Sequence, residues 1–199
     1  KLDEKTGLFY NSLLLVNNEF EIIQQYNKQK LVPFGEFLPF ENLLNKFGFK
    51  KITEGHGSFQ KGEDKINLKI DQLNILPLIC YEVIFTKLIQ EANINTNLIV
   101  NISEDAWFGN TIGPEQHYVK SIFRAIENGT FFLRSANKGI SAIIDNRGTT
   151  IKQLNRNEAE NIEFEVPLIK SKNNKNDLIF FVLLITYLSI FQFYKNKKI

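Results

Sequence analysis

The 199-residue chain has no methionine, one cysteine (Cys80), one tryptophan (Trp107) and two histidines, His56 and His117. One thiol cannot close an internal disulfide, and one thiol with two distant imidazoles makes no recognised zinc spacing. Neither a metal nor an organic cofactor is expected. A dominant charge is also missing, because 24 basic residues nearly cancel 22 acidic ones. With no Arg/Lys cluster interleaved with aromatics, nucleic acid is not expected as a partner. The absence of Met extends to position 1, and the chain opens on the charged Lys1-Leu2-Asp3-Glu4-Lys5. It reads as a fragment with an upstream part missing, so the lack of a signal peptide carries no information about location.

Apolar sequence is abundant: 43% of the residues are hydrophobic and 13% aromatic, enough for one sizeable core with some chain left over. Ser12 to Val16 and Glu21 to Tyr26 read as two strands joined by a tight turn at Asn17-Asn18. A short helix is expected from Glu41 to Phe47, stopped by Gly48, then a flexible turn at Gly55-His56-Gly57 and a half-buried strand over Lys65 to Ile70. Leu73 to Ile79 is apolar enough for a strand buried on both faces, with Pro77 marking a bulge or strand end. Helical spacing of Ile84, Phe85, Leu88, Ile89 and Ala92 and a second buried strand, Leu98 to Ile102, complete a parallel strand-helix-strand unit. A helix from Pro114 to Gly129 follows, then strands over 131–136, 140–144, 149–151 and 162–166. The pattern predicts an α/β domain over residues 1–170 and a polar linker over 171–177.

Leu178 to Tyr194 is almost unbroken apolar and aromatic sequence, with Lys195, Lys197 and Lys198 behind it. At ~1.5 Å per residue it reaches roughly 25 Å, slightly short of the ~30 Å hydrocarbon core. A buried helix docked on the domain is the plainer reading. The missing polar stripe and the basic cluster favour a transmembrane helix over 178–194, with 195–199 as a cytoplasmic tail and the domain on the outer side.

Chemistry is expected where the apolar run Ile75 to Phe85 breaks at Cys80-Tyr81-Glu82. A thiol between a strand and a helix N-terminus has a lowered pKa and neighbouring backbone donors for an oxyanion. An isolated cysteine after an apolar run is more often a small buried hydrophobe, but the polar pair Tyr81-Glu82 argues against that here. Lys28 follows a strand and is suited to stabilise a thiolate or an oxyanion. Glu36 sits in the apolar loop Leu31 to Pro39, where a carboxylate needs a cationic partner, and Lys28 is the natural one. Glu82 has the ordinary reading of a first-turn carboxylate, Trp107 and Phe108 beside Asp105 that of an aromatic loop anchor, and both histidines that of surface or capping residues.

Tyr26-Asn27-Lys28, Leu31-Val32-Pro33-Phe34-Gly35-Glu36-Phe37, Ile79-Cys80-Tyr81-Glu82, Asp105-Ala106-Trp107-Phe108-Gly109, Gly113-Pro114 and Gln116-His117 together resemble the nitrilase-type domain of the bacterial apolipoprotein N-acyltransferase family, within the carbon–nitrogen hydrolase superfamily. The resemblance implies a nitrilase-like four-layer αββα sandwich with its N-terminal part missing. It implies a Glu-Lys-Cys triad in which Cys80 matches the nucleophile and Lys28 the lysine, while Glu36 matches a further essential carboxylate. Tyr81, Glu82 and Trp107 would form the substrate and oxyanion environment. The general-base glutamate would lie upstream of Tyr10, so the fragment alone is expected to be inactive. Glu104 departs from the asparagine expected there. The implied reaction moves an acyl chain from a phospholipid through a Cys80 thioester to the α-amine of a diacylglyceryl-cysteine lipoprotein, on the periplasmic side of the inner membrane. A soluble amidase or nitrilase, and a membrane-anchored interaction domain without catalysis, are the alternatives.

Overall fold

The computed structural model describes residues 1–4, 6–48, 58–63, 67–90, 95–169 and 177–197. In chain order its elements are β1 (Leu2–Asp3), β2 (Leu8–Phe9), β3 (Ser12–Val16), β4 (Ile22–Asn27), α1 (Glu41–Leu44), β5 (Leu68–Ile70), β6 (Leu73–Ile79), α2 (Thr86–Gln90), β7 (Leu98–Glu104), α3 (Gly113–Asn128), β8 (Phe131–Asn137), β9 (Ser141–Ile144), β10 (Thr150–Leu154) and α4 (Asp177–Lys197). Six strands form one sheet in the order β10-β9-β8-β7-β6-β5. β6, β7 and β8 run parallel, and the strands outside them pair antiparallel.

Side-chain alternation along the central strands divides two apolar clusters between the two faces of this sheet. Leu76, Leu78, Ile99, Phe132 and Ile144 pack with Val83, Leu88 and Ala125 on the face covered by α2 and α3. Ile75, Ile79, Leu98, Phe131 and Ile143 pack with Tyr26, Leu13 and Leu15 of the β3–β4 hairpin on the other. Each fully buried side chain of this size contributes about 1.5–3 kcal/mol relative to exposure. The result is helices, sheet and hairpin: three layers of the expected four among the described residues.

Local chemistry explains most boundaries. The hairpin turn is longer than a two-residue link, because the Asn17 side chain accepts from the N–H groups of Glu19 (2.9 Å) and Glu21 (2.8 Å). Pro77 is tolerated inside β6 for a reason of register. Asn74 exchanges bonds with Asn97 on the β7 side, so Pro77, three residues on, faces the β5 side. Among the described residues the β5 pairing extends only to the Leu68–Ile75 pair, so the missing N–H of Pro77 falls outside it. α3 carries Pro114 in its first turn and stops at Gly129, whose φ of +60° is a left-handed cap.

Three expectations change. Residues 162–166 form no strand; Ile162 and Val166 pack on the hairpin-side cluster and Phe164 stacks on Phe131 at 6.1 Å, so side-chain packing takes the place of backbone pairing. The helix after Cys80 starts as a 3-10 turn, Cys80–Ile84, and becomes α-helical only at Thr86. The expected transmembrane helix over 178–194 is not supported: among the described residues no helix is long and apolar enough to cross a membrane, in keeping with a run of roughly 25 Å against ~30 Å of hydrocarbon. Nor is α4 docked on the domain, since its apolar side chains from Ile179 to Tyr194 are 40–66% exposed. The Gly55-His56-Gly57 turn lies outside the described residues.

Candidate active site

Cys80 leaves β6 with φ of +52°, a left-handed conformation in a non-glycine residue. Such a residue costs on the order of 1–3 kcal/mol and persists only where its surroundings hold it. The chain thereby turns sharply from strand into the Cys80–Ile84 turn, leaving the thiol partly exposed at the carboxyl end of the parallel strands. That edge is where open α/β sheets place ligands.

The hairpin side supplies the first set of charges. Lys28, at the end of β4, is 1% exposed, and its Nζ is 2.9 and 2.8 Å from the two Glu36 carboxylate oxygens. Glu36 also accepts from Asn11 Nδ2 (2.7 Å) and from the Val32 N–H (2.9 Å). The loop is thus built around a bidentate pair. Glu82, fully buried, ties this loop to the cysteine turn. One of its oxygens accepts from Tyr26 Oη (2.9 Å) and from the N–H groups of Gln29 (2.7 Å) and Lys30 (3.0 Å), and the other from the Ile79 N–H (2.8 Å). Burial pushes the Glu82 carboxyl above its ordinary pKa, with the backbone donors and the Tyr26 phenol pulling the other way. Burial and the adjacent Glu82 carboxylate raise the Tyr26 phenol far above its usual range.

The helix side supplies the second set. His117 of α3, expected at the surface or as a cap, is buried, as are Asn101, Asp105 and Arg134. Arg134 of β8 donates to Asn101 Oδ1, to Asp105 Oδ2 (2.6 Å) and to the Ile140 carbonyl (3.1 Å). Asp105 accepts from Ser103 Oγ (2.6 Å) and lies 2.9 Å from His117 Nδ1. Burial alone would raise its carboxyl; the His117 hydrogen bond, the Arg134 charge and Ser103 together hold it below its ordinary value. Gly139 is required by proximity, since a Cβ there would lie 2.2 Å from Asp105 Oδ2.

Of the remaining expected site residues, Tyr81 is half-exposed, edge-on to Phe85 (6.4 Å) and tilted against His117 (5.8 Å). Trp107 is 62% exposed, and it is Phe108 that packs on His117, at 5.6 Å. Glu104 caps the turn that follows β7, accepting from the Ala106 N–H (3.1 Å) and from Asn137 Nδ2 (2.7 Å). A cavity of about 540 Å³ beside the Lys28 loop has a mixed lining, apolar at Leu31, Phe37, Leu38, Phe59 and Phe85 and polar at Lys30, Glu41, Ser58 and Lys61 among others. Among the described residues no group of three His, Cys, Asp or Glu side chains is placed to hold a metal ion.

Residues 2–172 match the carbon-nitrogen hydrolase family. The chain belongs to that family. Curated relatives named apolipoprotein N-acyltransferase include those of Allorhizobium ampelinum, 37% identical over 94% of this chain and 37% of the relative, and of Rickettsia prowazekii, 40% identical over 79% of this chain and 32% of the relative. The chain therefore spans about a third of the length of the relatives it matches. Among solved structures, yeast Nit3 of the nitrilase superfamily is similar in fold, with a TM-score of 0.59 and 18% identity over 80% of this chain and 54% of that one. These findings support the resemblance read from the motifs and the nitrilase-like α/β fold.

In this member of the family, the helix-side network was the part that sequence reading missed. Asn101 and Arg134 are polar residues at inward positions of apolar strands, in step with Ile99 and Phe132 of the core. A charge at a buried strand position needs a partner, and that requirement was the available signal.

Proposed function

We propose that the chain supplies the nucleophile of a thiol-mediated acyl transfer in which the full-length protein takes an acyl chain from a membrane phospholipid and delivers it to the α-amine of a diacylglyceryl-cysteine lipoprotein. The observation that carries this reading is Cys80 itself: a thiol at +52° φ on a strand-to-turn corner, with buried Lys28 and partly buried Glu36 paired in the loop that Glu82 ties to that turn. The names of the curated relatives give the acyl class.

In the first half-reaction the Cys80 thiolate attacks the ester carbonyl. A C–S bond forms, charge collects on the carbonyl oxygen near Lys28 and the Tyr81 N–H, and the C–O bond breaks to release lysophospholipid. In the second, the amine attacks the thioester, an amide forms and the thiolate is regenerated. Glu36 orients Lys28, and Glu82 fixes the loop to the turn. The proton that the leaving alcohol takes and the amine gives up is assigned to the upstream glutamate that the family resemblance implies. The cavity beside the Lys28 loop offers room for part of an acyl chain along Leu31, Phe37, Leu38 and Phe85.

Both substrates carry acyl chains that hold them in a bilayer. We therefore place the exposed apolar surface of α4 in the lipid of the bacterial inner membrane, with the domain on the periplasmic side. The test supplies the natural full-length protein with phospholipid vesicles and a diacylglyceryl-cysteine peptide and weighs the products. An N-acylated peptide is expected. Free fatty acid in its place would overturn the acyltransferase reading in favour of a hydrolase.

A further inference from the structure

The strained Cys80 residue has its carbonyl held by two side chains from the helix-side network. Asn101 Nδ2 donates to the Cys80 carbonyl at 3.3 Å, and also to the Leu78 carbonyl at 3.1 Å. His117 Nε2 lies 3.2 Å from the same Cys80 oxygen. A carbonyl only accepts, so Nε2 carries the hydrogen. The other ring nitrogen lies 2.9 Å from Asp105 Oδ1 and 3.1 Å from Arg134 Nη2. A neutral ring accepts there from Arg134, and a protonated one donates to Asp105. In both states Nε2–H stays on the Cys80 carbonyl.

The peptide plane makes this contact more than a packing detail. The Cys80 C=O and the Tyr81 N–H belong to one trans amide and point in opposite directions. Fixing the carbonyl toward His117 and Asn101 aims the N–H the other way. The first N–H groups of a helical turn have no acceptor within it, and in strand-to-helix nucleophile corners the N–H after the nucleophile serves the oxyanion. We propose that His117 is a positioning residue for acylation: by holding the Cys80 carbonyl, it aims the Tyr81 N–H at the oxygen of the ester under attack. The inference rests on the reading of Cys80 as an acyl-carrying nucleophile. Asp105 and Arg134 fix the ring from behind, and Gly139 lets the chain close over the carboxylate.

Two reactions of the same thiol separate this role from a structural one. Acylation by p-nitrophenyl butyrate forms a C–S bond through a tetrahedral oxyanion, and p-nitrophenolate departs without needing a proton. Alkylation by iodoacetamide forms a C–S bond at a saturated carbon with loss of iodide, and no oxyanion arises. In the natural full-length protein, His117→Ala is expected to slow acylation of Cys80 about 100-fold while alkylation stays within about twofold. His117→Gln, whose amide reaches the Nε2 position, is expected to restore most of the rate. His117→Asn, whose amide reaches only Nδ1, is not, and this pair decides the matter if the alanine variant fails to fold. Equal loss of both reactions, or no loss in either, would overturn the inference. A wild-type thiol that alkylates but never acylates would overturn the nucleophile reading, and this inference with it.

Discussion

Two buried charged clusters meet the Cys80 turn from opposite faces of the sheet, and they are held together differently. On the hairpin side, Lys28 and Glu36 pair directly, and the partners of Glu82 among the described residues are backbone N–H groups and a phenol. On the helix side, Asp105 has a guanidinium and an imidazole within 3 Å, and the cluster reaches the cysteine through its carbonyl. The carboxyl groups record the contrast. Glu82, dominated by desolvation, is raised, and Asp105, compensated by cationic and polar partners, is lowered. On the proposed reading the difference is a division of labour: the hairpin-side cluster would bring charge to the reacting atoms, and the helix-side cluster would set the backbone that presents them.

The largest effect that would sharpen this division is structural. Arg134→Met leaves Asp105 and Asn101 buried without their shared donor, and is expected to cost about 3–5 kcal/mol in urea unfolding. A loss below ~1 kcal/mol would show that the helix-side cluster is not cohesive. Lys28→Met is next. It is expected to slow acylation of Cys80 by about 10²–10³-fold and, unlike the His117 variants, to slow alkylation as well, because the thiolate loses a neighbouring cation. Unchanged alkylation would remove Lys28 from the thiol's environment and break the comparison on the hairpin side. Gly139→Ala follows, with about 1–3 kcal/mol of destabilisation by overpacking against Asp105, read as a fall in the unfolding midpoint.

The smallest effect is in the pH dependence of stability. Asp105 has a folded pKa below its unfolded value of ~3.9. Its contribution is present above that pH and lost as pH falls through the folded pKa. Glu82 has a folded pKa above its unfolded value of ~4.3, so its contribution is present below that pH and lost as pH rises through the folded pKa. The stability gap between wild type and Asp105→Asn should narrow toward acid. For Glu82→Gln the gap should move the opposite way, with wild type losing ground as pH rises. Parallel trends in the two variants would contradict the different compensation of the two carboxylates.

The hairpin-side cluster was readable because its residues announce themselves locally. Glu36 is a lone carboxylate in an apolar loop, eight residues after Lys28, and Cys80 interrupts an apolar run. The strand-helix-strand unit was likewise readable from the switch between alternating and helical spacing. The helix-side cluster was not, because it is assembled by register: β7 pairs Asn101 with Arg134 of β8, and α3 brings His117 to them from another layer. Nothing in a window of sequence expresses that alignment. Residues 162–166 failed in the opposite sense, since their apolar pattern is real but serves side-chain packing. At Cys80 the positive φ tightens the start of the following helix into a 3-10 turn, so the expected dipole of an α-helix gives way to the orientation of a single peptide.

The most direct test of the account is the mass of the protein after incubation with phospholipid vesicles and no amine acceptor. With the second half-reaction blocked, the natural full-length protein should gain one acyl chain on the peptide containing Cys80, labile to hydroxylamine as a thioester is, and Cys80→Ala should gain none. A folded protein that stays unmodified, or that carries the acyl chain on another residue, would contradict it.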